Sequence, residues 1–138
     1  MRKMIDIKKG IRRIGIPYEQ IIYMEKDLRK VIAYTKDETH IFYDKFCDIM
    51  PRLDERFMRP HCSYVFNMDY IVEIDAEGIM LTTGQKLYFG RQTLQKSRRM
   101  FDEYVRMCKE KALEEKRAAA RKRAAEQNKT VGKQAVGK

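Results

Sequence analysis

The chain has 138 residues, a length typical of one domain, and 43% of them are hydrophobic, which is enough for one core. Its net charge is +10, and it contains no apolar run near the roughly 18 residues that a membrane-spanning helix requires. The N-terminus lacks the apolar segment of a secretory signal. Three widely spaced cysteines fit neither a disulfide framework nor a zinc pattern. We therefore expect a cytoplasmic protein with reduced thiols, no metal site, no cofactor and no membrane span.

The positive charge is concentrated in the last third of the chain. Residues 94–138 hold 14 Lys/Arg and 6 Asp/Glu, a net charge of +8, whereas residues 1–93 hold 16 and 14, a net charge of +2. A basic excess favours polyanionic partners such as nucleic acid, because their binding releases counterions. A solvated charged helix would account for the same composition.

Short alternating patterns predict strands through the first 43 residues. Residues 4–16 favour two strands, because isoleucines alternate with polar residues around Lys9-Gly10, and Pro17 ends the second strand. Further strands are predicted at residues 21–25, 29–35 and 39–43.

The spacing of the apolar residues changes after residue 43. Apolar residues at spacings of three and four predict one short amphipathic helix over residues 46–53, with Pro51 distorting its end. Glycine-containing turns predict hairpins over residues 71–89.

From Arg91 onward the apolar spacing predicts a helix. Beyond Leu113 the helix propensity stays high without an apolar stripe, and residues 128–138 are Gly/Lys-rich, so we expect disorder there. We predict a domain over residues 1–111 and a basic helical and disordered tail over residues 112–138.

These elements indicate a fold class. Many short strands without helical crossovers predict a mostly β, α+β protein. We expect an elongated stack of small antiparallel sheets, with one short central helix and a C-terminal helix.

The residues do not favour catalysis. His40 and His61 are the only histidines, and the sequence contains no Gly-rich phosphate loop and no H-E-x-x-H pattern. Cys62 follows His61, but neighbouring strand residues point to opposite faces of a sheet, which argues against a nucleophile pair. We therefore expect that the protein is not an enzyme.

Polar side chains at strand ends are the candidates for binding. They are Arg29 and Lys30, then Arg59, His61, Ser63 and Asn67 in the stretch 57–67, and finally Arg91 and Gln92. Arginine is suited to the edge of guanine and asparagine to that of adenine. The same residues would equally serve internal hydrogen bonds, with Asn67 capping the turn at Met68-Asp69, so the chemistry alone leaves both interpretations open.

The stretch also carries a pattern, Phe57-x-Arg59-x-His61-x-Ser63-Tyr64-x-x-Asn67. This pattern resembles the signature of the LytTR DNA-binding domains found in many bacterial response regulators. Residues 16–25 resemble the family's opening strand and turn, and residues 79–91 resemble its last hairpin running into an arginine. The resemblance covers about residues 4–105.

The resemblance implies three small antiparallel sheets whose loops, not a helix, enter the major groove of DNA. By position it assigns base contacts to Arg29 or Lys30, to Asn67 and to Arg91. Arg59, His61, Ser63 and Gln92 would then brace loops or contact phosphates. The family also suggests two domains on tandem half-sites about one helical turn apart, on DNA bent toward the protein.

The chain departs from the family pattern in several places. Cys62 replaces a basic or amide residue, Gly90 replaces a serine, and Phe66 is larger than the usual valine. Only about three residues precede the first strand, so we expect a stand-alone regulator without a receiver domain. The tail would act as a phosphate-contacting arm, as a solubilising helix, or as an interface for self-association or an inhibitor protein.

We therefore expect a sequence-specific DNA-binding transcription regulator. Two alternatives remain. One is a protein-interaction module with a LytTR-like body, and the other is an RNA-binding basic protein that depends on its tail.

Overall fold

The computed structural model describes residues 3–136, and side chains are described for residues 3–126. The chain divides into two compact units, Met1–Tyr104 and Val105–Lys138. The described backbone contains ten strands and two α-helices: β1 Met4–Lys9, β2 Arg12–Pro17, β3 Ile21–Asp27, β4 Lys30–Thr35, β5 Thr39–Tyr43, α1 Phe46–Ile49, β6 Phe57–His61, β7 Tyr64–Asn67, β8 Ile71–Ile74, β9 Gly78–Leu81, β10 Lys86–Tyr88 and α2 Arg91–Val136. Single 3-10 turns connect some of them, at Tyr18–Gln20, Met50–Arg52 and Met68–Tyr70.

The strands form three antiparallel sheets. β1 pairs with β2, the central sheet has the order β5-β4-β3-β7-β6, and the last sheet has the order β10-β9-β8. All pairings in these sheets are antiparallel. The predicted fold class, small antiparallel sheets with helices, is therefore confirmed.

The first hydrophobic core lies between the β1–β2 sheet, one face of the central sheet and α1. Alternate residues of neighbouring strands point to this face, as Val31 and Ala33 of β4 and Phe42 of β5 do. Ile5 and Ile7 of β1 and Phe46 of α1 complete it. Each fully buried side chain of this size contributes about 1.5–3 kcal/mol, so this core fixes the β1–β2 hairpin against the central sheet.

The second core covers the opposite face of the central sheet. Tyr23 and Phe66 point to this side, where they meet the last sheet through Ile79 and Leu81 and the start of α2 through Leu94. The central sheet is thus covered on both faces along β3 and β7, whereas the edge strand β5 exposes Ile41 and Tyr43.

One sequence prediction needs correction. α1 ends at Ile49 and passes into the 3-10 turn Met50–Arg52, because Pro51 has no N–H to donate to an α-helical bond. At the C-terminus, the described backbone of α2 continues through Val136, and residues 137–138 lie outside the described residues. The domain boundary at residue 111 and the disorder of residues 128–138 stay predictions. The Ala-, Lys- and Glu-rich tail supports cooperative helix extension.

Candidate nucleic-acid interface

The β3–β4 turn presents an exposed arginine on a strained backbone. Asp27 pairs with Lys30, which leaves Leu28 and Arg29 as a two-residue turn. Leu28 has a φ of 58°, a left-handed conformation that costs about 1–2 kcal/mol for a residue with a Cβ. Its side chain is nevertheless 87% exposed and makes no compensating core contact. Such strain clusters at functional sites, and here it lies directly before the exposed Arg29.

The β6–β7 turn is held from inside by two polar side chains. His61 pairs with Tyr64, so Cys62 and Ser63 form the tip. The Nδ1 atom of His61 accepts a hydrogen bond of 3.0 Å from the Ser63 N–H, and Arg59 Nη2 donates to the Cys62 carbonyl at 3.1 Å. The turn is therefore internally braced, and the exposed side chain at its tip belongs to Cys62.

These two turns lie side by side at one end of the central sheet. The Lys26 N–H donates to the Ser63 carbonyl at 2.8 Å, which joins the end of β3 to the tip of the β6–β7 turn. Arg29 and Arg59 line one open groove of about 740 Å³. Four cations and two carboxylates border this groove, together with Tyr43 and Phe46: Lys26, Arg29, Lys45, Arg59, Asp44 and Asp48. The groove is therefore net positive and has an aromatic lining.

The third segment is the junction between β10 and α2. The ring centroid of Phe89 lies 5.9 Å from that of His61 and 5.0 Å from that of Tyr64. Two residues later, Arg91 and Gln92 are exposed in the first turn of α2. The helix start is anchored by buried Leu94, whose N–H donates to the Gly90 carbonyl. The junction thus begins beside the β6–β7 turn.

A carboxylate beneath the turns fixes Tyr64. Glu25 accepts hydrogen bonds from Tyr34 at 3.0 Å and from Tyr64 at 3.2 Å. Burial, followed by the neighbouring Glu25, raises the pKa of Tyr64 above its usual value, and burial also raises that of Tyr34. Both phenols therefore stay protonated as donors, and Tyr64 is held in place under the turn.

Asn67 does not lie at this surface, and the prediction that it reads a base is wrong. Its side chain is fully buried, and its amide donates to the carbonyls of Tyr18 at 3.1 Å and Ile21 at 2.8 Å. Its Oδ1 accepts from the Asp69 N–H at 3.0 Å, so it caps the turn after β7. Both N–H donors of its amide and its Oδ1 are engaged inside the fold, at the end of β7 opposite to the β6–β7 turn.

Sequence reasoning missed Cys62 as the tip residue of the second turn. It ranked side chains by their polar chemistry, and a thiol ranks low on that scale. The sequence did carry a signal for this turn. The segments that form β6 and β7 are strand-like, and the polar residues between them indicate a two-residue turn at positions 62–63.

The part of the chain with described side chains offers no other kind of site of two common types. There, no three His, Cys, Asp or Glu side chains gather in a way that would hold a metal ion. Within the same residues, no helix combines the length and the apolar character that crossing a bilayer requires.

The family description of the LytTr DNA-binding domain matches residues 12–102 of this chain. Similarity extends to the accessory gene regulator protein A of Staphylococcus epidermidis, 31% identical over 75 residues, and of Staphylococcus aureus, 29% identical over 75 residues. Each match covers 53% of this chain and 31% of the relative. The chain thus spans about a third of the length of the curated relatives it matches.

A solved structure shares the fold. It is the LytTr DNA-binding domain of a response regulator from Bacillus cereus, with a TM-score of 0.61 and 16% sequence identity. The alignment covers 72% of this chain and 97% of that domain.

Proposed function

The chain belongs to the LytTR family of DNA-binding domains, and from this premise we propose that it is a sequence-specific transcription regulator that reads duplex DNA from three turns. The convergence of the β3–β4 turn, the β6–β7 turn and the β10–α2 junction carries the proposal. One backbone hydrogen bond and one shared groove join the first two, and the Phe89 ring joins the third to the second. Loops on a rigid β scaffold suit recognition, because the scaffold fixes their spacing.

Arg29 and Arg91 are the proposed base readers, with Lys30 next to the first. Each arginine can donate two parallel hydrogen bonds to a guanine edge, which supplies about 1–3 kcal/mol of discrimination. The exposed tip at Cys62 takes the place first assigned to Asn67, and its thiol and the turn backbone would approach the bases between the two arginines. Ser63 and Gln92 would contact phosphates. Arg59 and His61 act by bracing the second turn.

The wider assembly follows from the same proposal. We expect two copies on tandem half-sites about one helical turn apart, on DNA bent toward the protein, with self-association or a partner protein modulating binding. The site of action would be the cytoplasm, where the chromosome of a bacterium lies.

The first experiment is selection of bound duplexes from a random DNA pool at about 150 mM salt, where the electrostatic contribution is partly suppressed. Wild type is compared with Arg29→Ala and Arg91→Ala. Lys36→Ala is the matched control, because Lys36 is an exposed cation in the β4–β5 turn, at the opposite end of the central sheet. We expect wild type and control to enrich one motif, and each arginine variant to lose preference at one position of it.

Two other outcomes would favour the alternatives. If no motif is enriched by the folded wild type, the body is a protein-interaction module. If the protein prefers RNA, and removal of residues 112–138 abolishes binding, it is an RNA-binding protein. On the DNA proposal, that truncation weakens binding and lowers its salt dependence while the selected motif stays the same.

A further inference from the structure

The tip of the β1–β2 hairpin combines cations with an exposed apolar residue. Gly10 and Ile11 form the turn, with a φ of 62° at Gly10, and the flanking residues are Lys8, Lys9, Arg12 and Arg13. Ile11 is 98% exposed, more than any other large hydrophobic side chain among the described residues. Folding therefore leaves an apolar side chain in water at the centre of four positive charges.

The pairing of these cations works against the hairpin. Lys8 lies directly opposite Arg13, and Lys9 lies directly opposite Arg12. Like charges in directly opposed positions of an antiparallel pair are destabilising. In the part of the chain with described side chains, none of the four forms an ion pair with a carboxylate. Arg13 Nη1 reaches only the carbonyls of Gly10 and Arg12, at 3.3 and 3.4 Å.

The charges occupy both faces of the ribbon. Lys9 and Arg12 continue the face that carries buried Ile7, whereas Lys8 and Arg13 lie on the opposite face, because side chains alternate along a strand. The tip thus presents two cations to each side and an apolar group forward. A complementary partner has anionic walls on two sides and a less polar floor.

We propose that the side chains of this tip enter the minor groove of the bound duplex, with the four cations on the two phosphate rows and Ile11 against the sugars and bases. The inference rests on the proposed function. Paired strand axes lie about 4.8 Å apart, and atomic radii and side chains add to that width, so the ribbon backbone would stay outside the roughly 6 Å wide minor groove while the tip side chains reach into it. Apolar wedges flanked by cations are a known means of widening that groove and bending DNA.

Part of the tip lies outside the residues that the family description matches. The family match begins at Arg12, so Lys8, Lys9 and Ile11 lie before the matched residues. The added contact would therefore extend the recognition surface of the matched domain toward the N-terminal side.

The test uses two double variants, Lys8→Gln/Arg13→Gln and Lys9→Gln/Arg12→Gln, in the full chain. The matched control is Lys3→Gln/Lys36→Gln, two exposed cations outside the tip. Binding to the selected duplex is measured by fluorescence anisotropy from 50 to 400 mM salt. Each tip variant should lower the slope of log affinity against log salt by about 1.8, as expected for two lost phosphate contacts. The control should leave the slope unchanged.

Folding provides an independent check on these variants. Because each removes a like-charge pair, the urea midpoint should stay the same or rise, so weaker binding would not reflect a lost fold. A separate variant, Ile11→Ser, should keep the salt slope but reduce the bend, measured by energy transfer between dyes at the two duplex ends.

Three results would overturn the inference. One is an unchanged salt slope in both double variants while wild type binds its selected motif, which leaves the proposed function intact. Another is that the two tip variants lose a binding to phosphatidylglycerol vesicles that wild type shows, while their DNA binding is unchanged. That result would assign the tip to a lipid surface. Failure of the wild type to select any motif would instead overturn the proposed function, and the tip inference with it.

Discussion

The guanidinium carbon of Arg59 lies 5.2 Å from the ring centroid of Phe46, while the same guanidinium donates to the Cys62 carbonyl. Phe46 is almost fully buried in the first core, so its ring does not move with the surface. Arg59 therefore connects the tip of the β6–β7 turn to a fixed point of α1. Arg59 thus holds the β6–β7 turn together with His61 and the main-chain bond from Lys26.

Replacing Arg59 should affect DNA binding more than stability. Arg59→Leu keeps apolar contact with Phe46 but removes the donor to Cys62, so we expect about tenfold weaker binding, or about 1.4 kcal/mol. The unfolding free energy should fall by only about 0.5–1 kcal/mol. Anisotropy titration and urea unfolding measure the two effects. Arg59→Lys should recover the charge but not the geometry, and equal affinity for all three proteins would contradict the bracing role.

Asn67 should show the opposite behaviour. Asn67→Ala leaves the Tyr18 and Ile21 carbonyls without their buried donor, and should lower the unfolding free energy by about 2–4 kcal/mol. Asn67→Asp should be at least as damaging, because a carboxylate accepts but does not donate. Urea unfolding measures both. Arg91→Ala is the contrasting surface variant, expected within about 0.5 kcal/mol of wild type. A stable Asn67→Ala protein that no longer binds DNA would restore the base-reading assignment.

Gly78 is required by close approach between two strands. A Cβ at this position would lie 2.2 Å from the Leu87 carbonyl oxygen, in the β9–β10 pair. We expect Gly78→Ala to destabilise the protein by about 2 kcal/mol or more, since backbone must shift to relieve the contact. Gly90→Ala is the matched control, because a Cβ there meets nothing within 4 Å. Equal melting temperatures for Gly78→Ala and Gly90→Ala would contradict this account.

Acid stability should depend on Asp75. Its Oδ2 accepts from Lys86 at 2.6 Å and its Oδ1 from the N–H groups of Glu77 and Gly78, and these bonds lower its pKa from 3.8 to about 2. The folded pKa lies below the unfolded one, so the stabilisation is fully present above about pH 4 and is lost as the pH falls toward 2.

Melting temperatures of wild type and Asp75→Asn between pH 6 and 2 measure this effect. Wild type should be the more stable at pH 6, and the difference should shrink between pH 4 and 2. A constant difference across this range would show that the titration of Asp75 does not contribute.

The strands were largely predictable, because each depends on a local alternation that is visible within five or six residues. The hairpins of the last sheet follow from the same local signals. The β3–β4 turn lies one residue later than predicted, at Leu28 and Arg29, because β3 extends to Asp27 and pairs there with Lys30. The prediction that Asn67 reads a base failed for a physical reason. Its burial depends on carbonyls 46 and 49 residues earlier in the chain, and no local pattern reports such a contact.

The tip at Cys62 and the end of α1 illustrate two further limits. A turn residue can matter through its position and not through its polarity, so a search by side-chain chemistry passes over it. Pro51 signalled a distortion, but a proline is tolerated in the first turn of a helix as well as at its end. The sequence therefore located the break without defining the 3-10 turn that replaces the last α-helical turn.

The hydrogen bond from Lys26 to Ser63 joins main-chain atoms only. The spacing between the first two recognition turns is therefore independent of which side chains stand at positions 29 and 62. On the proposed function, substitutions there would alter the preferred DNA sequence one position at a time, without rebuilding the scaffold that holds them. Such a separation makes the domain easy to retarget, by natural divergence between paralogues or by a combinatorial library at these positions.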